Sequence, residues 1–131
     1  MNYVLDAHAL TAYFEKEPGY LKVQELLTEA ASQARLLLLS AVNWGEVFYV
    51  TWREHGSENA HRIAKTIEQF PIEIISADVE LAHQAAIYKA SHKMSYADCF
   101  AAALAKLHKA VVVTGDKDFK QVEDEIKVHW L

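Results

Sequence analysis

The chain has 131 residues, 13 Lys+Arg against 18 Asp+Glu for a formal charge of −5, and a single cysteine, Cys99. That length suits one ordinary domain burying roughly two thirds of its unfolded surface, which needs no staple to fold; one cysteine excludes an internal disulfide, and no Cys/His pair has zinc-finger spacing. Apolar runs such as Leu36–Leu39 and Ala110–Val113 fall far short of the ~18 residues that a membrane span requires.

In chain order, short apolar runs alternate with longer segments whose apolar residues recur every three or four positions. Strands are expected at Asn2–Leu5, Arg35–Leu39, Glu73–Ile75, Ala110–Thr114 and Lys127–Leu131. Helices are expected at Ala9–Phe14, Tyr20–Gln33, Ala41–His55, Glu58–Phe70, Asp78–His92 and Tyr96–His108. Strands alternating with helices predict a mainly parallel, five-stranded sheet covered on both faces, because parallel neighbours need crossover connections. Runs such as Val111-Val112-Val113 are apolar throughout, as strands buried on both faces are. Ser40, Ser57 and Ser76 are candidate helix caps, and Ser95-Tyr96-Ala97-Asp98 has capping-box spacing with aspartate in the usual glutamate place.

Only four glycines and two prolines punctuate the chain, and no linker, repeat or low-complexity tract appears, so residues 1–131 are read as a single domain. Asp6 lies within the first ten residues and no Lys or Arg precedes Lys16, unlike a secretory signal. With the lone cysteine, this predicts a reducing, cytoplasmic setting.

The carboxyl ends of parallel strands form the ligand crevice of an open α/β sheet. Asp6 follows Tyr3-Val4-Leu5, and Asp116 lies two residues past Val111-Val112-Val113-Thr114. Glu46 falls early in the helix that follows the second strand. Asp98 stands on the first turn of a helix continued by Ala101, Ala102, Ala103 and Ala105, small enough to bring its backbone near the sheet. Each acid taken singly is also an ordinary turn or cap residue. If the first and fourth strands are neighbours, the four converge. Two carboxylates about 4 Å apart repel by ~4 kcal/mol at an effective dielectric near 20, so such a cluster binds cations or holds protons. Magnesium is the natural occupant, because it takes oxygen ligands and pairs a few carboxylates with substrate phosphate. A two-ion site of this kind serves phosphodiester displacement.

The segments Tyr3-Val4-Leu5-Asp6-Ala7-His8-Ala9-Leu10, Val42-Asn43-Trp44-Gly45-Glu46-Val47, Ser95-Tyr96-Ala97-Asp98-Cys99-Phe100-Ala101-Ala102-Ala103-Leu104-Ala105 and Val113-Thr114-Gly115-Asp116-Lys117-Asp118-Phe119 resemble, in order, the blocks of PIN-domain nucleases, and more specifically VapC toxins of VapBC toxin-antitoxin modules. The resemblance spans nearly the whole chain. It implies a three-layer α/β/α domain, Mg²⁺ or Mn²⁺ as one or two ions, and endoribonuclease activity leaving a 5′-phosphate and a 3′-hydroxyl. It also implies a homodimeric mate and a VapB-like antitoxin that covers the site. Asp6, Glu46, Asp98 and Asp116 match the family's acidic site positions, Asp118 a frequently acidic fifth, and Thr114 a supporting hydroxyl. The chain departs from the family where a small hydroxyl residue often follows the first acid: Ala7 and His8 stand there.

Other signals are weaker. Seven histidines show no close metal-ligand pairing in the sequence, and Cys99 has no catalytic Cys/His pattern around it. Trp44, Phe48, Tyr49 and Trp52 concentrate aromatic surface on one helix, and Arg53 lies two turns beyond Glu46 on the same side. Three alternatives to the toxin reading are an RNA-processing nuclease without an antitoxin, a non-catalytic PIN-like binding module and a receiver-like regulatory domain. The last wants a phospho-acceptor aspartate after the middle strand, and Ile74-Ile75-Ser76-Ala77 supplies none. Setting aside Asp6, Glu46, Asp98 and Asp116 raises the formal charge from −5 to −1. Much of the acidity is thereby assigned to a metal receptor, and an acidic chain remains compatible with an RNA substrate that meets it with metal bound.

Overall fold

The computed structural model describes residues 1–131. Its strands are β1 (Tyr3–Leu5), β2 (Leu37–Ser40), β3 (Ile72–Ile75), β4 (Val111–Thr114) and β5 (Lys127–Trp130). The helices are α1 (Ala7–Glu15), α2 (Tyr20–Ser32), α3 (Ala41–His55), α4 (Ser57–Gln69), α5 (Val79–Ser91) and α6 (Tyr96–His108), with a 3₁₀ turn at Lys117–Val122. All five strands pair in parallel, in the order β3-β2-β1-β4-β5.

Side-chain alternation along the strands divides the apolar residues between two cores. Val4 pairs with Leu38 on one side and Val112 on the other, and these three face α5 and α6 through Leu81, Tyr88, Phe100 and Leu104. Leu5 pairs with Leu39 and Val113, and these face α1 and α2 through Leu10, Val23 and Leu27. Burying each such Val or Leu contributes about 1.5–3 kcal/mol relative to leaving it exposed. The result is the three-layer α/β/α arrangement expected from the sequence. In α6 every residue from Asp98 to Ala105 is buried, and its alanines bring the helix axis close to the sheet.

The strand order creates the crevice. From β1 the chain winds outward through β2 and β3, then returns to place β4 on the other side of β1, so β1 and β4 flank the point where the winding reverses. A receiver-like sheet would run 2-1-3-4-5, and the observed order differs from it.

Local boundaries moved for identifiable reasons. Helix α1 starts at Ala7 rather than Ala9 because the Asp6 side chain caps it. Strand β2 begins at Leu37 because the Arg35 N–H closes the end of α2 on the Ala30 carbonyl at 2.9 Å. Ser40 caps α3 as expected, its hydroxyl accepting from Val42 N–H at 3.1 Å. Ser57 is no cap: α4 starts from Gly56, whose φ of 90° places it in the left-handed half of the map that glycine tolerates. Ser76 is not one either, because Asp78, two residues on, accepts from Leu81 N–H at 2.9 Å and caps α5.

Candidate metal centre

Asp6 is the first residue beyond β1 and has no exposed surface. Its backbone is extended, so the side chain turns back over the start of α1 and Oδ1 accepts from Ala9 N–H at 2.8 Å. Its Oδ2 accepts a hydrogen bond from the hydroxyl of Thr114, the last residue of the neighbouring strand. That hydroxyl oxygen in turn accepts from Asp116 N–H at 2.9 Å, and Asp116 Oδ1 accepts from Asp118 N–H at 2.9 Å, which opens the 3₁₀ turn. A continuous hydrogen-bonded path therefore runs from the tip of β1 across to β4 and through the turn that carries Asp116 and Asp118. Thr114 thereby links Asp6 to Asp116.

Asp98 arrives from the opposite layer. The Ser95 hydroxyl accepts from Asp98 N–H at 3.1 Å, completing half of the capping box. The carboxylate does not close the other half; it lies in the cleft, where Asp98, Asp116 and Asp118 can each present one oxygen within 4.8 Å of the other two. Asp98 is buried, Asp116 half-buried and Asp118 exposed, so the trio spans the cleft from floor to rim. Glu46, on the second turn of α3, completes the set of acids, and its Oε1 is buried without a hydrogen-bond partner.

The electrostatics follow from burial without counter-charge. Burial pushes the Asp6 carboxyl up to about 7, with the Thr114 and Ala9 hydrogen bonds opposing the rise and the charges of Asp116 and Glu46 adding to it. Asp98 is pushed up to about 8, by burial first, then by the charge of Asp116 and side-chain hydrogen bonding with it, then by the charges of Asp6 and Glu46. Glu46 is raised by burial and by Asp116, while the neighbouring Asn43 side chain opposes the shift. None of the four forms an ion pair with a basic side chain. An all-oxygen donor set with a partnerless buried oxygen fits a hard divalent cation such as Mg²⁺ or Mn²⁺, which would offset the repulsion that otherwise holds protons there.

One neighbour of the acids, Asn43, was not singled out from the sequence, and His8 was marked there only as a departure from the family pattern. Asn43, with no exposed surface, donates from Nδ2 to the carbonyl of Ala97 at 3.0 Å, tying the start of α3 to the residue before Asp98. A polar residue on the buried face of α3, one turn before Glu46, was the available signal. His8 accepts at Nδ1 from Gly115 N–H at 3.2 Å, between the two turns that carry Asp6 and Asp116. The remaining candidates go elsewhere. Trp44 stacks on Phe48 at 5.4 Å, and Phe48 and Trp52 pack against His61 of α4. Arg53 sits 5.0 Å from the ring centre of Tyr49. Cys99 is fully buried, and burial pushes its thiol up, the reverse of what a nucleophile needs.

Comparison with known proteins agrees with this architecture. Among curated proteins, none matches the sequence. Among solved structures, the fold is similar to VapBC2 from Rickettsia felis bound to a DNA fragment from their promoter, with a TM-score of 0.75, 18% identity and 98% of each chain covered. It is similar to DNA-bound VapBC from Salmonella typhimurium, with a TM-score of 0.74, 18% identity, and 98% of this chain and 97% of that one covered. It is also similar to Mycobacterium tuberculosis VapC20, described as a sarcin-ricin loop cleaving toxin, with a TM-score of 0.74, 16% identity, and coverage of 92% and 95%. The family model for the PIN domain matches residues 3–125, which include every acid of the cleft, and the chain belongs to the PIN-domain family.

Proposed function

We propose that residues 1–131 form a single metal-dependent endoribonuclease domain, the toxin of a type II toxin-antitoxin pair, which hydrolyses RNA phosphodiester bonds. The observation that carries this reading is the meeting of Asp6, Glu46, Asp98 and Asp116 at the β1/β4 crevice, buried to different depths and without a basic partner. Membership of the PIN-domain family supports nuclease chemistry, and the similarity to VapBC structures supports an antitoxin as partner. The description of a similar fold as a sarcin-ricin loop cleaving toxin supports RNA as substrate.

In this reading Asp98 and Asp116 hold Mg²⁺ or Mn²⁺, as one or two ions, with Asp118 contributing from the rim. Asp6, fixed by Thr114 and Ala9, joins them in holding metal directly or through water, using its remaining lone pairs. Glu46, with its free Oε1, holds metal or orients the attacking water and takes up its proton. When bound, divalent metal supplies charge neutralisation at the phosphate and a more acidic water. A homodimer and a VapB-like antitoxin segment lying over the acids complete the assembly in a cytoplasmic setting.

The test is cleavage of total RNA by metal-free protein and by protein supplied with Mn²⁺ or Mg²⁺, with end mapping and an Asp6→Asn control. The expected result is metal-dependent fragments with 5′-phosphate and 3′-hydroxyl ends, absent from the variant. Intact RNA with either ion would leave a binding module, and equal cleavage by Asp6→Asn would remove the site assignment. Toxicity on expression, relieved by the product of an adjacent short gene, is the outcome expected of a toxin rather than an RNA-processing enzyme.

A further inference from the structure

His8 has a placement that neither a helix face nor a core contact explains. It is exposed on the first turn of α1, two residues after Asp6, where a small hydroxyl residue often stands in the resembling family. Its ring lies against Gly115, the residue between Thr114 and Asp116. A Cβ built at Gly115 would overlap ring atom Cε1 and come within 3.0 Å of Nδ1 and 3.1 Å of Nε2. Glycine at this position is therefore what admits the imidazole, and the Gly115 N–H donated to Nδ1 at 3.2 Å fixes its orientation. A neutral ring that accepts at Nδ1 carries its hydrogen on Nε2. That nitrogen has no hydrogen-bond partner within the chain. The arrangement is a preoriented N–H donor at the rim of an acidic crevice, next in space to the turns bearing Asp6 and Asp116.

We propose that His8 is a substrate-binding residue whose Nε2–H donates a hydrogen bond to a phosphate oxygen of the RNA. This rests on the nuclease reading above. Acids that gather metal repel the RNA backbone, so a neutral donor fixed at their rim orients the phosphate without competing for the ion. The contact exists before the chemical step as well as during it, so its loss appears in binding: KM rises while kcat changes little.

The experiment compares wild type with His8→Ala, His8→Asn, His8→Gln and Gly115→Ala, all checked for unchanged melting in the far-ultraviolet. Steady-state cleavage of a fluorogenic RNA oligonucleotide with Mn²⁺ is one readout. Affinity for the same oligonucleotide in an Asp98→Asn background, where cleavage is blocked, is the other. Asparagine matches Nδ1 as an acceptor for Gly115 but ends short of the outer donor; glutamine reaches the outer position. His8→Ala, His8→Asn and Gly115→Ala are expected to raise KM and weaken RNA binding by about tenfold, and His8→Gln to recover most of it. Wild-type KM and affinity in His8→Ala would overturn the proposal. So would wild-type behaviour in His8→Asn, which would make the ring only a brace for the Gly115 turn. Absence of cleavage by wild type overturns the nuclease reading instead, and the binding arm still reports whether His8 meets RNA.

Discussion

Two places in the molecule bring three potential metal ligands within 4.8 Å of one another: Asp98, Asp116 and Asp118 in the crevice, and Glu15, Glu54 and His55 where α1 and α3 end side by side. By proximity alone they are equal. The second trio is exposed throughout, and it carries its own basic partner, with His55 Nε2 at 2.7 Å from Glu15 Oε1. Solvent screens its charges, and nothing about it is left unsatisfied. The first trio descends from an exposed rim to buried Asp98, has no basic side chain within ion-pair distance, and adjoins buried Asp6 and the partnerless Oε1 of Glu46. What separates a cation receptor from a surface acid cluster is that its ligands are held in place while their charge remains unbalanced. Here the holding is done by three backbone N–H groups, those of Ala9, Asp116 and Asp118, together with the Thr114 hydroxyl, which lock the loop geometry.

The contrast breaks first in activity. Asp98→Asn should lower metal-dependent RNA cleavage by roughly a hundredfold or more, given that even the outer partners of metal ligands cost ten- to a hundredfold when removed. Glu54→Gln, in the exposed trio, should cleave like wild type. Equal losses in both would show that the cleft acids have no special standing.

Next comes the dependence of stability on pH. Asp6 and Asp98 titrate near 3.8 when unfolded but at about 7 and about 8 in the folded chain. Between those limits the native state holds protons that the unfolded state has released, so metal-free protein loses stability as pH rises. The loss begins near pH 4 and is complete above about pH 8. Thermal melting without metal should therefore fall from pH 5 to pH 8. Mg²⁺ or Mn²⁺ should restore the midpoint strongly at pH 8 and little at pH 5. Asp98→Asn should flatten the profile and reduce the metal effect, whereas Glu54→Gln should change neither. A smaller effect is expected from Thr114→Val, which keeps the shape of the side chain but leaves Asp6 Oδ2 and Asp116 N–H without their shared hydroxyl. Urea unfolding should show a cost of about 1–3 kcal/mol, the usual penalty for stranding buried polar groups.

The ends of β1 and β4 were readable because strands buried on both faces are apolar throughout, but the acids that follow them read, one at a time, equally well as turn or cap residues. Their adjacency was not readable: it depends on strand order, which no local pattern carries, and the resemblance to PIN-domain nucleases supplied it. Ser76 and Asp78 illustrate the limit on a smaller scale. Both are good caps, and which one ends up at the helix start depends on how β3 leaves the sheet. Asn43 was hidden for a similar reason, since an asparagine inside a helix is unremarkable until the helix it meets is known. The contact of His8 with Gly115 joins residues 107 apart, and glycine in a turn is too common to suggest a ring resting on it. The same applies to His55 and Glu15, 40 residues apart, which no histidine spacing would connect.

That last pair sharpens the comparison at its quiet end. The side chains of His55 and Glu15 are 44% and 36% exposed, so the polar groups they bring together are largely solvated before and after they meet. Exposed pairs contribute about 0.2–1 kcal/mol, since the Coulombic gain is offset by the cost of ordering two side chains. His55→Ala should therefore lower stability by no more than about 1 kcal/mol in urea unfolding and leave RNA cleavage and the Mn²⁺-induced thermal shift at wild-type values. A change in metal response would mean that the exposed trio binds cations despite the histidine already paired with Glu15, and burial would no longer explain why the two clusters differ.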